Sequence, residues 1–348
     1  VFLRRLQLYD LRNLRQADLR LASGLNLLLG RNAQGKTSVL EGVGLLSRGR
    51  SFRSEDARSA IRRGCPRLIA RASSWSASRE SGLELELSQK RRAFRVDGRE
   101  VPPREYQGRL EVVVYSTERL RVVRGSMRER RQFLDRGACA LWPSYRPLLR
   151  EFERVLAQRN AALAARTRDL AVWSERFVEL GSELRRRRGE YARRLSAALA
   201  TGFRPEGESY AIELEAGRAE DLERRLEEAR PAELAAGRTL CGPHRDAVAL
   251  LVNGEEAAET ASAGQARSLL LALALAALEL FRLERGEAAV ALLDDLDSEL
   301  DEERARDLCR EVGRRGQALV TTAHPSWAAR LSGEAQVFHV EAGEVRAA

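Results

Sequence analysis

The chain is almost without lysine. Only two of its 60 basic residues are lysine, so a position that keeps lysine marks a need for a compact, flexible point charge rather than the planar fork of arginine. Cysteine is also scarce. Cys65, Cys139, Cys241 and Cys309 lie far apart, a spacing that offers neither a zinc motif nor a redox pair and suits reduced thiols in a cytosol. Long apolar runs are missing too. The longest, from Leu269 to Leu278, is about half of what a bilayer requires and is followed by Glu279. No membrane contact is therefore expected, and with no signal-peptide pattern at the start the expected location is cytoplasmic.

One of the two lysines, Lys36, closes Gly30-Arg31-Asn32-Ala33-Gln34-Gly35-Lys36-Thr37, a complete phosphate-binding P-loop. The apolar run Leu25 to Leu29 precedes it as a buried parallel strand should, and Thr37-Ser38-Val39-Leu40-Glu41 opens a helix after it. Strand, glycine loop and helix in that order aim backbone N–H groups and the helix dipole at phosphates. Residues Gly30 to Ser38 are thus the expected ATP cradle, with Lys36 on the β- and γ-phosphates and the Thr37 hydroxyl on Mg²⁺. A second metal carboxylate is expected at the end of the strand Val290-Ala291-Leu292-Leu293-Asp294-Asp295. Asp294 would hold Mg²⁺ through water, and Asp295 would orient or deprotonate the attacking water.

Charge is unevenly spread. Residues 117–210 hold 21 arginines against 12 acids, an excess equal to the whole chain's +9. A field so concentrated attracts polyanions, DNA or RNA first among them. The run Arg185-Arg186-Arg187-Arg188 is the candidate DNA contact, with a solvated helix face as the competing reading.

Strand signals fill the first 115 residues, including the alternating Leu83-Glu84-Leu85-Glu86-Leu87 and an Asp97-Gly98 turn. Leucines at helical spacing then run from about Ser126 to Leu199 and again from Leu222 to Ala236, and strand patterns resume at Ala247. The expected organisation is a split α/β ATPase domain, residues 1–120 and 238–348, with a mainly helical lobe inserted at 121–237.

Further segments give the chain a family likeness. Ala261-Ser262-Ala263-Gly264-Gln265 resembles the ABC-type signature motif, Ser298-Glu299-Leu300-Asp301 the D-loop, and His324 after Thr321-Thr322-Ala323 the switch histidine. With Gly242-Pro243-His244-Arg245-Asp246 and the stretch from Gly125 to Asp135, the chain resembles the RecF family of bacterial recombination mediator ATPases. The likeness implies an ABC-type P-loop head with a mixed sheet, flanking helices and antiparallel hairpins. It also implies a weak, DNA-stimulated ATPase whose ATP-bound homodimer clamps double-stranded, gapped or junction DNA in repair, replication restart and the SOS response. RecR and RecO would be partners in loading RecA. By the same likeness, Ser262, Gly264 and Gln265 would bind the γ-phosphate of the opposite subunit's ATP, and His324 would join Asp295 in catalysis. Family members usually carry arginine at Ala263, proline at Met127 and aspartate at Ala247, and many ABC ATPases carry glutamate at Asp295, whose shorter side chain suggests slow turnover. Another SMC- or ABC-type ATPase, or an ATP-gated DNA-binding scaffold with negligible catalysis, shares much of this pattern.

Overall fold

The computed structural model describes residues 1–76, 79–167, 169–215, 221–296, 302–331 and 333–348. The D-loop candidate, Ser298 to Asp301, lies outside them.

The chain begins with β1 (Phe2–Leu11), β2 (Leu14–Arg20) and β3 (Leu25–Leu29), then the P-loop and α1 (Lys36–Arg48). Next come β4 (Arg67–Ser76), β5 (Arg79–Ser88), β6 (Arg92–Val96), β7 (Arg99–Val101), α2 (Pro103–Tyr106) and β8 (Val112–Tyr115). Helices dominate the middle: α3 (Arg121–Arg124), α4 (Met127–Leu141), α5 (Tyr145–Ala165) and the 32-residue α6 (Leu170–Thr201), then β9 (Tyr210–Glu215) and α7 (Leu222–Ala236). They are followed by β10 (Ala247–Val252), β11 (Glu255–Glu256), α8 (Ala257–Thr260) and α9 (Ala263–Arg285). The chain closes with β12 (Val290–Leu293), α10 (Glu302–Arg315), β13 (Ala318–Thr322), α11 (Pro325–Arg330), β14 (Ala335–Glu341) and β15 (Glu344–Ala347).

Two compact units result, Val1–Arg119 with Phe281–Ala348, and Leu120–Leu280. The first holds two six-stranded sheets. One is antiparallel, in the order β2-β1-β4-β5-β6-β7. Its alternation is visible in β5, where Leu83, Leu85 and Leu87 are buried while Glu84 and Glu86 face arginines of the neighbouring strands. At the β6–β7 turn Asp97 and Gly98 both have positive φ, the geometry that fits a two-residue hairpin to strand twist. The other sheet runs β15-β14-β3-β13-β12-β8 and is parallel from β14 to β8. Its strand β3 is buried at every position, as a central parallel strand covered on both faces must be. Gln317 joins the chain's distant parts in this unit: its amide exchanges hydrogen bonds with the Leu3 backbone and donates to Ala22.

The second unit contains α3 to α8, the three-stranded sheet β11-β10-β9 and most of α9. Residues 238–280, read from sequence as part of the split ATPase domain, fall within this unit. Its interior is unusual for its arginines. Arg130, Arg159, Arg185 and Arg188 are all at most 3% exposed, and long charged side chains are almost never so buried unless paired. Each is paired. Arg130 bonds the Val248 and Val123 carbonyls and Glu256, and Arg159 joins α5 to α7 through Glu233 and to Thr239.

Candidate functional site

The P-loop sits where β3 ends and α1 begins, and two glycines fix its path. Gly30 packs so tightly on β14 that a Cβ would lie 2.2 Å from the Val340 carbonyl oxygen. Gly35 takes φ +120°, which L side chains rarely adopt. The loop is also pinned from outside. The Gln34 carbonyl accepts from the Asn13 side chain at 2.9 Å and from the Gly343 N–H at 3.0 Å, while its side-chain oxygen accepts from the Ala342 N–H at 2.6 Å. Farther along α1, buried Glu41 receives two hydrogen bonds from Arg12 and one from Ser51.

Lys36 is buried and turns back over the loop, donating to the Gly30 carbonyl at 2.6 Å and the Arg31 carbonyl at 3.1 Å. This holds the ammonium at the mouth of the loop, beside the helix N–H groups that have no partner inside the helix. The Thr37 hydroxyl donates to Asp294 Oδ1 at 3.0 Å across a separation of 257 residues. Asp294, at the end of β12, is 4% exposed and also accepts from Thr321 at 2.8 Å and Ser116 at 3.3 Å. Burial raises its carboxyl above the usual range and the neighbouring Asp295 adds to this, against the opposing hydroxyls. A hydroxyl and a carboxylate at that spacing are hard oxygen donors of the kind Mg²⁺ takes, so the residues fit the metal that a P-loop site uses.

Asp295 follows with φ 51°, a left-handed conformation that aspartate tolerates better than most residues. Its N–H donates to the Thr321 hydroxyl at 2.9 Å. His324 is exposed beyond the end of β13, the strand next to β12, with its N–H on the Thr322 hydroxyl. Strand pairing thus brings Lys36, Thr37, Asp294, Asp295 and His324 to the ends of adjacent strands β3, β13 and β12. Sequence reading missed Ser116 and Thr321. Their signal was position, since Ser116 follows β8 and Thr321 is next to last in β13, the two strands that flank β12.

In the second unit Ser262, Ala263 and Gly264 are exposed. Ser262 and Gln265 cap α9 reciprocally: the Gln265 N–H donates to the Ser262 hydroxyl at 3.1 Å, and the Ser262 N–H to the Gln265 side chain at 3.0 Å.

The arginine run requires a correction. Arg185 makes a bidentate pair with Asp246 and Arg188 one with Asp135, both buried. Neither head reaches solvent, so neither can touch DNA. Arg186 is exposed and Arg187 half-buried, and both pair with Glu183.

Comparison with known proteins decides the family. The sequence model of the RecF/RecN/SMC N terminal domain matches residues 2–346. The chain is 34% identical over 381 residues to the DNA replication and repair protein RecF of Synechococcus sp. (strain JA-3-3Ab), covering 99% of this chain and 97% of that protein. The chain belongs to the RecF family. To RecF of Gloeobacter violaceus it is 35% identical over 371 residues, with 99% and 98% covered. Its fold is similar to the solved structure of the recombination mediator protein RecF-ATP in the RecFOR pathway, with TM-score 0.90, 27% identity and coverage of 100% and 97%. The corresponding RecF-ATPrS structure gives 0.87, 26%, 99% and 98%. An Smc head domain from Pyrococcus furiosus shares the fold alone, at TM-score 0.58 and 15% identity. This RecF-family chain is therefore an ATP-binding P-loop ATPase fold of the SMC-like kind. No helix among the described residues is long and apolar enough to cross a membrane.

Proposed function

We propose that this chain is an ATP-gated DNA-binding ATPase of recombinational repair, acting as a dimer that forms when ATP is bound. The observation that carries the reading is the meeting of Thr37 with Asp294 at the mouth of a P-loop whose lysine is already held in place. Lys36 and the first-turn N–H groups of α1 would bind the β- and γ-phosphates. Thr37 and Asp294 would hold Mg²⁺, which when bound neutralises charge gathering on those phosphates. Asp295 would orient the attacking water and accept its proton, with His324 beside it.

The exposed Ser262 segment offers the N-terminus of α9, where the Ala263 and Gly264 N–H groups stay outside the capping box, to an anion. In the dimer it would complete the other subunit's nucleotide site, so ATP favours association and hydrolysis releases it. DNA would be held through backbone phosphates, and kinship with RecF of the RecFOR pathway supports RecR, RecO and RecA as the functional context. The test is ATP turnover with and without duplex DNA, together with the oligomeric state at several protein concentrations. Lys36→Met should lower ATP affinity at least tenfold and abolish ATP-dependent dimerisation. Wild-type nucleotide affinity in that variant would overturn the P-loop assignment.

A further inference from the structure

We propose that Arg131 and Arg245 form a preorganised clamp for two backbone phosphates of nucleic acid. The proposal rests on the DNA-binding reading above and names residues for it.

The pair emerges from an uneven cluster inside the second unit. Three guanidiniums, those of Arg131, Arg185 and Arg188, gather around two carboxylates, Asp135 and Asp246, and the exposed Arg245 is near enough to act on Arg131. Both carboxylates are consumed by the buried heads. Arg185 holds Asp246 with Nε and Nη2, and Arg188 holds Asp135 the same way. Asp135 also accepts from the Tyr145 hydroxyl at 2.5 Å. Among the described residues, no ion pair compensates Arg131 or Arg245. His244 adds no further positive charge, because burial holds its imidazole neutral, down at about 4, with Arg245 and Arg131 adding to the effect.

The geometry sets the two heads differently. Arg131 lies on α4 one turn before Asp135 and spends Nη1 on the Asp246 carbonyl at 2.8 Å. That bond fixes the half-buried side chain and leaves its Nε and Nη2 edge, the two-donor face that matches a phosphate side on. Arg245 sits in the tight turn closed by its own N–H on the Gly242 carbonyl at 2.8 Å. The turn sends Asp246 inward to Arg185 and Arg245 outward to solvent. Arg188 also bonds the Pro243 carbonyl at 2.6 Å, so the buried pairs rigidify both the turn and the helix that present the free heads. Burial and repulsion from Arg188 pull the Arg131 guanidinium down from its ordinary range, as for a cation short of an anion. Asp135 and Asp246, the two aspartates beside these arginines in sequence, are both held by buried guanidiniums.

The test is binding of a labelled duplex to the full chain, with ATP, across a range of salt. For Arg131→Gln with Arg245→Gln, the slope of log affinity against log salt should become shallower by about 2, roughly 0.9 for each lost phosphate contact. Affinity at low salt should fall at least tenfold. Arg245→Glu alone alters an exposed head without a partner, so it tests the site where the double variant folds poorly; it should weaken binding by a similar factor. ATP affinity should stay at the wild-type value in all variants. Unchanged slope and affinity in Arg245→Glu, with a wild-type protein that binds duplex, would overturn the clamp and leave the DNA-binding reading standing. Loss of ATP affinity would assign the pair to nucleotide phosphates and overturn it too. A wild-type chain that binds no DNA under any salt would sink both.

Discussion

Thr321 does two things with one hydroxyl. It donates to Asp294 Oδ1 and accepts from the Asp295 N–H, so one buried oxygen fixes the orientation of the Asp294 carboxylate, the proposed Mg²⁺ holder, and the left-handed backbone of the residue after it. Outer partners of this kind are commonly worth ten- to hundredfold in metal affinity or activity. Thr321→Val, nearly the same shape without the hydroxyl, should raise the Mg²⁺ concentration needed for ATP binding and lower turnover by about that range. Thr321→Ser should restore both. Equal Mg²⁺ dependence in the Val and Ser variants would remove Thr321 from the site. The P-loop and the paired acids were legible because their residue types are dictated locally, by the phosphate cradle and the strand end. Thr321 and Ser116 were not, since hydroxyls ending β-branched strands are common and nothing local says which one faces a carboxylate from another strand.

At the scale of elements, α6 shows why a charge run misleads. Residues 185 and 188 are three apart and share one helical face, while 186 and 187 turn outward. The inward face meets Asp135 and Asp246, which lie 53 and 61 residues away in sequence. Helical period predicts two faces, but only the distant acids reveal that one is internal. Removing one member of such a pair strands a buried charge. Asp135→Ala should therefore destabilise the chain by about 3–5 kcal/mol, read by denaturant or thermal unfolding. Asp135→Leu with Arg188→Met should recover most of that loss. A cost below about 1 kcal/mol for Asp135→Ala would mean that water reaches Arg188. The same region carries a pH signature. The folded His244 titrates at about 4 against an ordinary 6.5, so the unfolded chain takes up the proton first. Stability is complete above pH 6.5 and falls as pH drops toward 4, by at most about 3 kcal/mol. His244→Gln should flatten the unfolding free energy across that window; an unchanged slope would show that other groups carry it.

At the scale of the whole molecule, the proposed ATP-dependent dimer is tested at Ser262. Ser262→Arg should leave ATP binding to the isolated chain within about twofold of wild type, because the signature segment is expected to serve the opposite subunit. It should abolish ATP-dependent dimerisation, measured by light scattering over a range of protein concentration. Lost ATP binding with dimerisation intact would place Ser262 in its own subunit's pocket and end the clamp reading. The fold's broad plan was readable because hydrophobic period separates the strand-rich ends from the helical middle, whereas the placement of residues 238–280 with the second unit depends on tertiary packing that no local pattern carries. The grip of β14 and the turn after it on the P-loop has a consequence in time. Gln34 and its anchor Ala342 are made 308 residues apart, and ribosomes add about 5–20 residues per second. A nascent chain thus carries a complete nucleotide motif for on the order of 15–60 s before the hairpin that shapes it exists. Through that interval the motif lacks its brace, so pairing of the proposed ATP-driven kind would have to wait until β14 and the turn after it are made.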